Sequence, residues 1–323
     1  MSMSNASGPG RDGPMGGAPL RIGTRGSPLA LAQAHETRAR LAAAHPELSA
    51  EGAVEIVVIK TTGDRILDRT LSEAGGKGLF TKEIEEALAA GGIDLAVHSM
   101  KDVPTWLPDG LEIPTLLPRE DTRDAFLSPR ARTLDDLPEG AVVGTASLRR
   151  QAQVLARRPD LRVIPFRGNV QTRLRKLAEG EADATLLALA GLRRLGLEDR
   201  AASVLEPEAM LPAVAQGAIG IEIRASDERT RALLGPLGCA ETTARVTAER
   251  ALLAVLDGSC RTPIAALARL EGGVLRLDGL VASPDGARVF RVERTGAVAD
   301  AAEIGADAGR ELKGRLPDGF FRA

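Results

Sequence analysis

LRIGTRGSPLALAQAHETRARLAAAHPELSAEGAVEIVVIK, Leu20 to Lys60, decides the fold. Leu20 to Thr24 reads as a strand, Pro28 to Ala44 as a helix and Val54 to Lys60 as a second strand, a βαβ start. A Gly-rich loop (Gly75 to Gly78), a helix from Thr81 to Ala90 and an apolar strand at Leu95 to Val97 continue it. This alternation predicts a largely parallel sheet covered by helices. A second series runs from Asp124 to Leu211, with strands at Val142 to Thr145, Leu161 to Phe166 and Ala184 to Leu187, each ending at a polar turn. Ala218 to Ile223 and Asp227 to Gly235 read as strand plus helix. From Cys239 the style changes: a helix (Thr242 to Leu256) precedes alternating stretches at Ile264 to Leu270, Val274 to Ala282 and Arg288 to Glu293. Gly272-Gly273 and Ser283-Pro-Asp-Gly286 between them are hairpin turn signals, and a last helix covers Ala299 to Arg315. No fixed-period repeat interrupts this order, which sets solenoids and propellers aside.

Composition narrows the class without naming a function. The 323 residues, 44% hydrophobic with a net charge of -2, describe a globular protein long enough for two or three domains. Met1 to Ala18 is rich in Gly, Ser, Met and Pro, without the apolar core of a secretory signal, and reads as a disordered tail. No uncharged apolar run reaches the length of a membrane span. Two cysteines, Cys239 and Cys260, are too few for a disulfide framework, so a cytoplasmic, reducing location is expected. An aromatic content of 2%, with no Tyr, argues against single-stranded nucleic acid, which needs stacking platforms beside its basic groove.

Chemistry concentrates in three turns: V-H-S-M-K-D-V-P (Val97 to Pro104), G-T-A-S-L-R-R-Q (Gly144 to Gln151) and R-G-N-V-Q-T-R (Arg167 to Arg173). Residues 144 to 200 hold twelve Lys and Arg against six Asp and Glu. Guanidinium forks match carboxylate or phosphate oxygens two at a time, so such turns predict a ligand with several negative groups. In open α/β sheets, ligands sit beyond the carboxyl ends of the strands, near free helix N-termini, where these turns fall. The lone Asp102 among them suggests work at a cationic centre, although Asp before Val-Pro also caps turns. Arg157-Arg158 and Arg193-Arg194, taken singly, read as solvated helix faces.

Other motifs fail. Gly75-Gly-Lys-Gly78 lacks the Ser or Thr and the first glycine of a P-loop, which argues against ATP. Three histidines and two cysteines show no metal-ligand spacing, so no metal is expected, and His98 reads as a structural hydrogen-bonding residue. Cys260, in L-D-G-S-C-R-T-P, keeps two readings open: a small buried residue, or an accessible thiolate of lowered pKa beside Arg261. Cys239, in P-L-G-C-A, takes the first.

The ordered set Arg21 to Ala34 (R-I-G-T-R-G-S-P-L-A-L-A-Q-A), Gly75 to Glu85 (G-G-K-G-L-F-T-K-E-I-E), the three turns above and L-D-G-S-C resembles porphobilinogen deaminases, also called hydroxymethylbilane synthases. The resemblance runs from Leu20 to the C-terminus. It implies a transferase of tetrapyrrole (heme- or chlorophyll-type) biosynthesis. Such an enzyme joins four porphobilinogen units head to tail, releases ammonia at each step and hydrolyses off linear hydroxymethylbilane. The implied fold is two periplasmic-binding-protein-like α/β domains joined by a double hinge, plus a small α+β C-terminal domain with a three-stranded antiparallel sheet. The expected layout is a tail at 1–19, domain 1 at 20–117 and 217–238, domain 2 at 118–216 with the Arg-rich cleft, and domain 3 at 239–323. The hinges are expected at Leu117 to Asp121 and Leu211 to Gln216.

Carried over residue by residue, the resemblance implies a dipyrromethane cofactor, made from two porphobilinogen units, on a thioether to Cys260. A soft thiolate is a good nucleophile toward such a methylene, and a permanent anchor keeps the growing chain in the cleft. Ser259 stands where Gly is frequent in the family. Asp102 is implied as the catalytic carboxylate, and Lys101, Asp102, Thr145, Ser147, Arg149, Arg150 and Gly168 as cofactor-binding. Arg25, Ser27, Arg149, Arg167, Arg173, Arg194 and Gln216 are implied for substrate, and Asp64, Lys77 and Phe80 for a lid. A monomer with porphobilinogen as its substrate partner, no nucleic acid and no membrane completes the expectation. The competing class is a non-catalytic two-lobed anion- or solute-binding protein, or a regulator's effector domain, since fold alone does not decide function.

Overall fold

The computed structural model describes residues 18–65, 78–257, 262–317 and 320. The chain opens with β1 (Leu20–Thr24), α1 (Pro28–Ala44), β2 (Val54–Val58), a one-turn α2 (Thr62–Arg65), α3 (Lys82–Ala89), β3 (Leu95–Ser99) and β4 (Leu111–Leu116). It crosses to a second lobe of β5 (Asp124–Leu127), β6 (Val142–Gly144), α4 (Leu148–Arg157), β7 (Arg162–Ile164), α5 (Val170–Ala178), β8 (Ala184–Ala188), α6 (Leu189–Arg194) and β9 (Ser203–Leu205). It then returns for β10 (Ile219–Arg224) and α7 (Glu228–Leu234). A third unit follows: α8 (Ala240–Val255), β11 (Ile264–Glu271), β12 (Val274–Ala282), β13 (Val289–Ala297) and α9 (Ala301–Arg315).

The two lobes share one strand plan. The first sheet runs β2-β1-β3-β10-β4 and the second β7-β6-β8-β5-β9. β1 is parallel to β2 and β3, and β6 to β7 and β8. β10 is antiparallel to β3 and β4, as β5 is to β8 and β9. Each sheet is therefore largely parallel, as the sequence suggested, with one reversed strand, β10 in the first and β5 in the second. The parallel strands end at the cleft, so a chain arriving from the other lobe enters at that end and must run the opposite way. Pro114 is tolerated in β4 because that strand lies at the sheet edge.

Local chemistry starts the cleft-side helices. Ser27 caps α1, with Pro28 at its first position; Ser147 caps α4; Asn169 caps α5. Each cap follows the carboxyl end of a parallel strand, so three helix N-termini face the cleft. The side-chain oxygens accept from free backbone N–H groups there, a contribution of about 1 kcal/mol per cap.

The two crossings hydrogen-bond to each other, Leu117 N to Ile219 O at 3.1 Å and Glu120 N to Gly217 O at 3.3 Å. Gly217 has φ +87, and a Cβ there would lie 2.4 Å from the Glu120 carbonyl oxygen, so only glycine lets the strands approach this closely. Arg119, on the first crossing, forks onto Glu249 of α8 at 2.7 and 2.9 Å. Glu249 also accepts from Ala215 N on the return crossing (2.6 Å) and Ala268 N of β11 (2.8 Å). One buried carboxylate thus ties both crossings to the third unit. That unit's β11-β12-β13 sheet is fully antiparallel and packs Leu275, Leu277 and Val292 against Val246 and Leu252 of α8 and Ile304 and Leu312 of α9. β13 runs on to Ala297, past the expected Glu293, because it stays paired with β12 to Val274.

Candidate active site

Asp102 ends a single 3-10 turn (Met100–Asp102) directly after β3. Its half-buried carboxylate lies 3.9 Å from Arg25 Nη1, at the end of β1. The Arg25 guanidinium in turn stacks 4.1 Å from the Phe80 ring centroid, a contact that holds the fork flat.

Across the cleft, the N-terminal turn of α4 brings in Arg149 and Arg150, both only 5% exposed. They share one fully buried carboxylate, Asp124 at the start of β5, at 2.7 Å each. Arg149 also donates to Leu211 O (2.8 Å) and Arg150 to Leu186 O (2.9 Å). Gln216 donates to Asp124 Oδ1 (2.9 Å) and Thr122 O (2.7 Å). Burial pushes Asp124 up, but the two guanidiniums outweigh it and hold the carboxyl far below the usual range. Two buried cations on one anion leave an uncompensated positive charge, and Arg149 Nε, Arg150 Nε and Arg167 Nη1 are buried without a hydrogen-bond partner among the described residues. Buried N–H groups left open in this way cost free energy unless a ligand meets them.

Arg167 and Arg173 complete the field. Burial lowers Arg173 to about 10; Arg150 and Arg167 push the same way and Asp102 opposes them. Arg173 Nε donates to Gly168 O at 2.8 Å. Gly168 has φ +122 and no room for a Cβ beside Thr172, which keeps the backbone low at this turn. Thr145 Oγ1 accepts from Ser147 N (3.1 Å) and Ser147 Oγ from Arg150 N (3.4 Å), and each hydroxyl still carries a proton to donate.

Lys101 sits between Asp102 and the arginines. Burial lowers its ammonium from 10.5 to about 8, Asp102 and Asp124 pull it up, and Arg150 and Arg149 push it down. Between about pH 8 and 10.5 the unfolded chain therefore holds a proton that the folded, ligand-free protein has released. Stability rises with pH in that window. Urea titrations of the ligand-free protein across that window should show this gain, and Lys101→Met should flatten it. Capture of a carboxylate ligand should weaken as pH rises through about 8, because the ammonium is lost.

Most expected site residues meet in this cleft: Arg25, Phe80, Lys101, Asp102, Thr145, Ser147, Arg149, Arg150, Arg167, Gly168 and Arg173. Ser27 stands at its edge as the α1 cap. Arg194 makes contacts between lobes, while Gln216 bonds to Thr122 O and Asp124 within the second. Arg194 is 9% exposed rather than a solvated face, with Nε 3.2 Å from Glu36 Oε2 of α1 and Nη2 donating to Gly217 O at 3.1 Å. The Asp64 side chain, Lys77 and Cys260 lie outside the described residues. His98 is structural as read, its Nε2 2.9 Å from Glu222 Oε2 in the core of the first lobe. Asp124 escaped the sequence reading; the signal available was that two adjacent arginines entering a buried helix turn need a counter-charge. Among the described residues no cluster of His, Cys, Asp and Glu could hold a metal ion.

Fold and site together define a two-lobed protein with a cationic cleft that holds the half-buried Asp102 carboxylate. Family models match it twice: porphobilinogen deaminase, dipyromethane cofactor binding domain, over residues 20–232, and porphobilinogen deaminase, C-terminal domain, over 243–314. The porphobilinogen deaminase of Paracoccus denitrificans is 62% identical over 94% of this chain and 96% of its own. The chloroplastic porphobilinogen deaminase of Oryza sativa is 61% identical over 94% and 85%. Among solved structures, a nutrient-binding protein from Burkholderia cenocepacia covers 68% of this chain and 91% of its own at 13% identity and a TM-score of 0.41. The chain belongs to the porphobilinogen deaminase family. It is a transferase of tetrapyrrole biosynthesis that makes hydroxymethylbilane, and residues 20–232 form its dipyrromethane-binding region. The residues present fit that group: it carries acetate and propionate carboxylates, and Arg149, Arg150 and Arg167 have buried N–H groups without an acceptor among the described residues.

Proposed function

We propose that Asp102 is the catalytic carboxylate and that Cys260 carries the dipyrromethane on which four porphobilinogen units are condensed. The observation behind this is the placement of the Asp102 carboxylate among more cations than it can neutralise. When bound, the dipyrromethane supplies the electron-rich pyrrole carbon to which each unit is joined. Asp102 accepts hydrogen bonds from pyrrole N–H groups, stabilises the positive charge that develops as ammonia leaves, and takes up the proton displaced at the new link. A carboxylate already in place does this better than water, which must reorganise.

Lys101, Arg149 and Arg150 hold the carboxylates of the dipyrromethane, with Thr145 and Ser147 as neutral partners and Gly168 allowing close approach. Arg25, Ser27, Arg167 and Arg173 hold those of the incoming porphobilinogen. Arg194 serves substrate through the relative placement of the lobes, which its contacts with Glu36 and Gly217 support, and Gln216 through its hold on Asp124 beneath the two arginines. Asp64, Lys77 and Phe80 close over the cleft, supported for Phe80 by its stacking on Arg25. The working units are 20–117 with 217–238, 118–216, and 239–323, acting as a cytoplasmic monomer. No helix among the described residues is long and apolar enough to cross a membrane.

Each added pyrrole brings two carboxylates into the same cleft, which accounts for a surplus of arginines beyond the need of one dicarboxylate. With limiting porphobilinogen, intact-protein mass spectrometry should therefore show a ladder rising by one deaminated pyrrole per step, up to four additions, with a tetrapyrrole as the main released product. Free dipyrroles and tripyrroles, with no ladder on the protein, would mean that the chain does not grow while tethered.

A further inference from the structure

Arg250, on the face of α8 turned toward the first lobe, donates through Nη1 to Val103 O at 3.0 Å and through Nη2 to Pro104 O at 2.5 Å. These are the two residues that follow Asp102. Among the described residues no carboxylate pairs with Arg250, and burial alone pushes its guanidinium down. For mere adhesion between α8 and the first lobe an apolar side chain would be cheaper, since an unneutralised buried cation carries a desolvation cost. A planar fork addressing two successive carbonyls has a geometric use instead: it fixes a backbone turn.

On its other side the Asp102 turn is held by Met100 N, which donates to Ala218 O at 3.0 Å. Asp102 thus lies between an anchor from the return crossing and an anchor from the third unit. We propose that Arg250 is a positioning residue for Asp102: by clamping the Val103 and Pro104 carbonyls it sets the direction in which the carboxylate faces Arg25 and the cleft. The inference rests on the catalytic reading of Asp102. It adds that the third unit, whose α8 precedes Cys260 in the chain, helps to aim the carboxylate as well as to carry the anchor.

The test is a double-mutant cycle on cofactor-loaded protein, with loading checked by intact mass. Arg250→Met should lower kcat about tenfold, with KM changed by less than about twofold, because misplacement of a catalytic group acts on the chemical step. Arg250→Lys, which keeps the charge and reaches one carbonyl at a time, should fall between; it carries the same test if the Met variant does not load. Arg245→Met, on the same helix but bonded to Ala268 O and Glu241 within the third unit, should leave kcat unchanged. In an Asp102→Asn background Arg250→Met should have almost no further effect, since coupled residues are non-additive. Equal loss in both backgrounds, or full turnover in Arg250→Met while Asp102→Asn is crippled, overturns the positioning role alone. Near-normal turnover in Asp102→Asn overturns the catalytic reading and this inference with it.

Discussion

Cys260→Ala is expected to yield a folded protein that holds no dipyrromethane and makes no hydroxymethylbilane, while Cys239→Ala keeps both. The comparison is demanding because Cys239 has the features of an acidic thiol. It stands half-buried at the N-cap of α8, and hydrogen bonding to Thr242, aided by the N–H groups of the first helical turn, lowers its pKa. Thiolate character favours nucleophilic attack, so Cys239 is a chemical rival for the attachment. The attachment proposed at Cys260 rests instead on the Gly-Ser-Cys turn and on tethering. A covalent primer removes the need to rebind the chain at every condensation, and the fixed anchor converts each bimolecular encounter into one within the site. Intact mass and an aldehyde-reagent colour test on both variants separate the two thiols. A covalent dipyrrole on purified Cys260→Ala would sink the assignment.

How much of this was legible beforehand differs from element to element. β1 and α1 were readable because an apolar strand, a small polar turn and Pro28 lie within nine residues, and the third unit's hairpins because alternation and Gly turns are local signals. The directions of β5 and β10 were not readable. Both are set by the side from which the chain enters a sheet, a property of the whole path. β9, with three residues, offers no periodicity to detect. The Arg-rich turns announced an anion site, yet the local excess of positive charge overstated it: Arg157 pairs with Asp135, Arg158 with Asp160, Arg175 with Glu179 and Arg193 with Glu120, all away from the cleft chemistry. Arg149 and Arg150 were expected to hold ligand carboxylates, but nothing in the sequence pointed to their burial on Asp124. A single Asp among 44 acidic residues carries no mark of that role in the sequence. Arg250 was silent for the same reason, since its partners are backbone carbonyls distant in the chain.

Asp102→Asn should lower kcat by on the order of a hundredfold or more while leaving KM unchanged or reduced. The substitution keeps shape and hydrogen-bonding reach and removes the charge, so what is lost is the electrostatic stabilisation of a cation, an effect of that order where preorganised groups dominate. The direction for KM follows from the neighbours. Asp102 lies 3.9 Å from Arg25 and is the one carboxylate that opposes the lowering of Arg173. In the ground state it therefore competes with substrate carboxylates for the same guanidiniums. With Asn in its place that competition is removed, and binding holds or tightens as turnover falls. A variant damaged only in folding would instead lose binding and turnover together, which the ratio of kcat to KM distinguishes. Added salt should weaken substrate capture in both proteins without removing covalently held pyrroles, because screening acts on ion pairs and not on the thioether. Turnover near that of the parent protein in Asp102→Asn would leave the cleft an anion site in search of another catalyst.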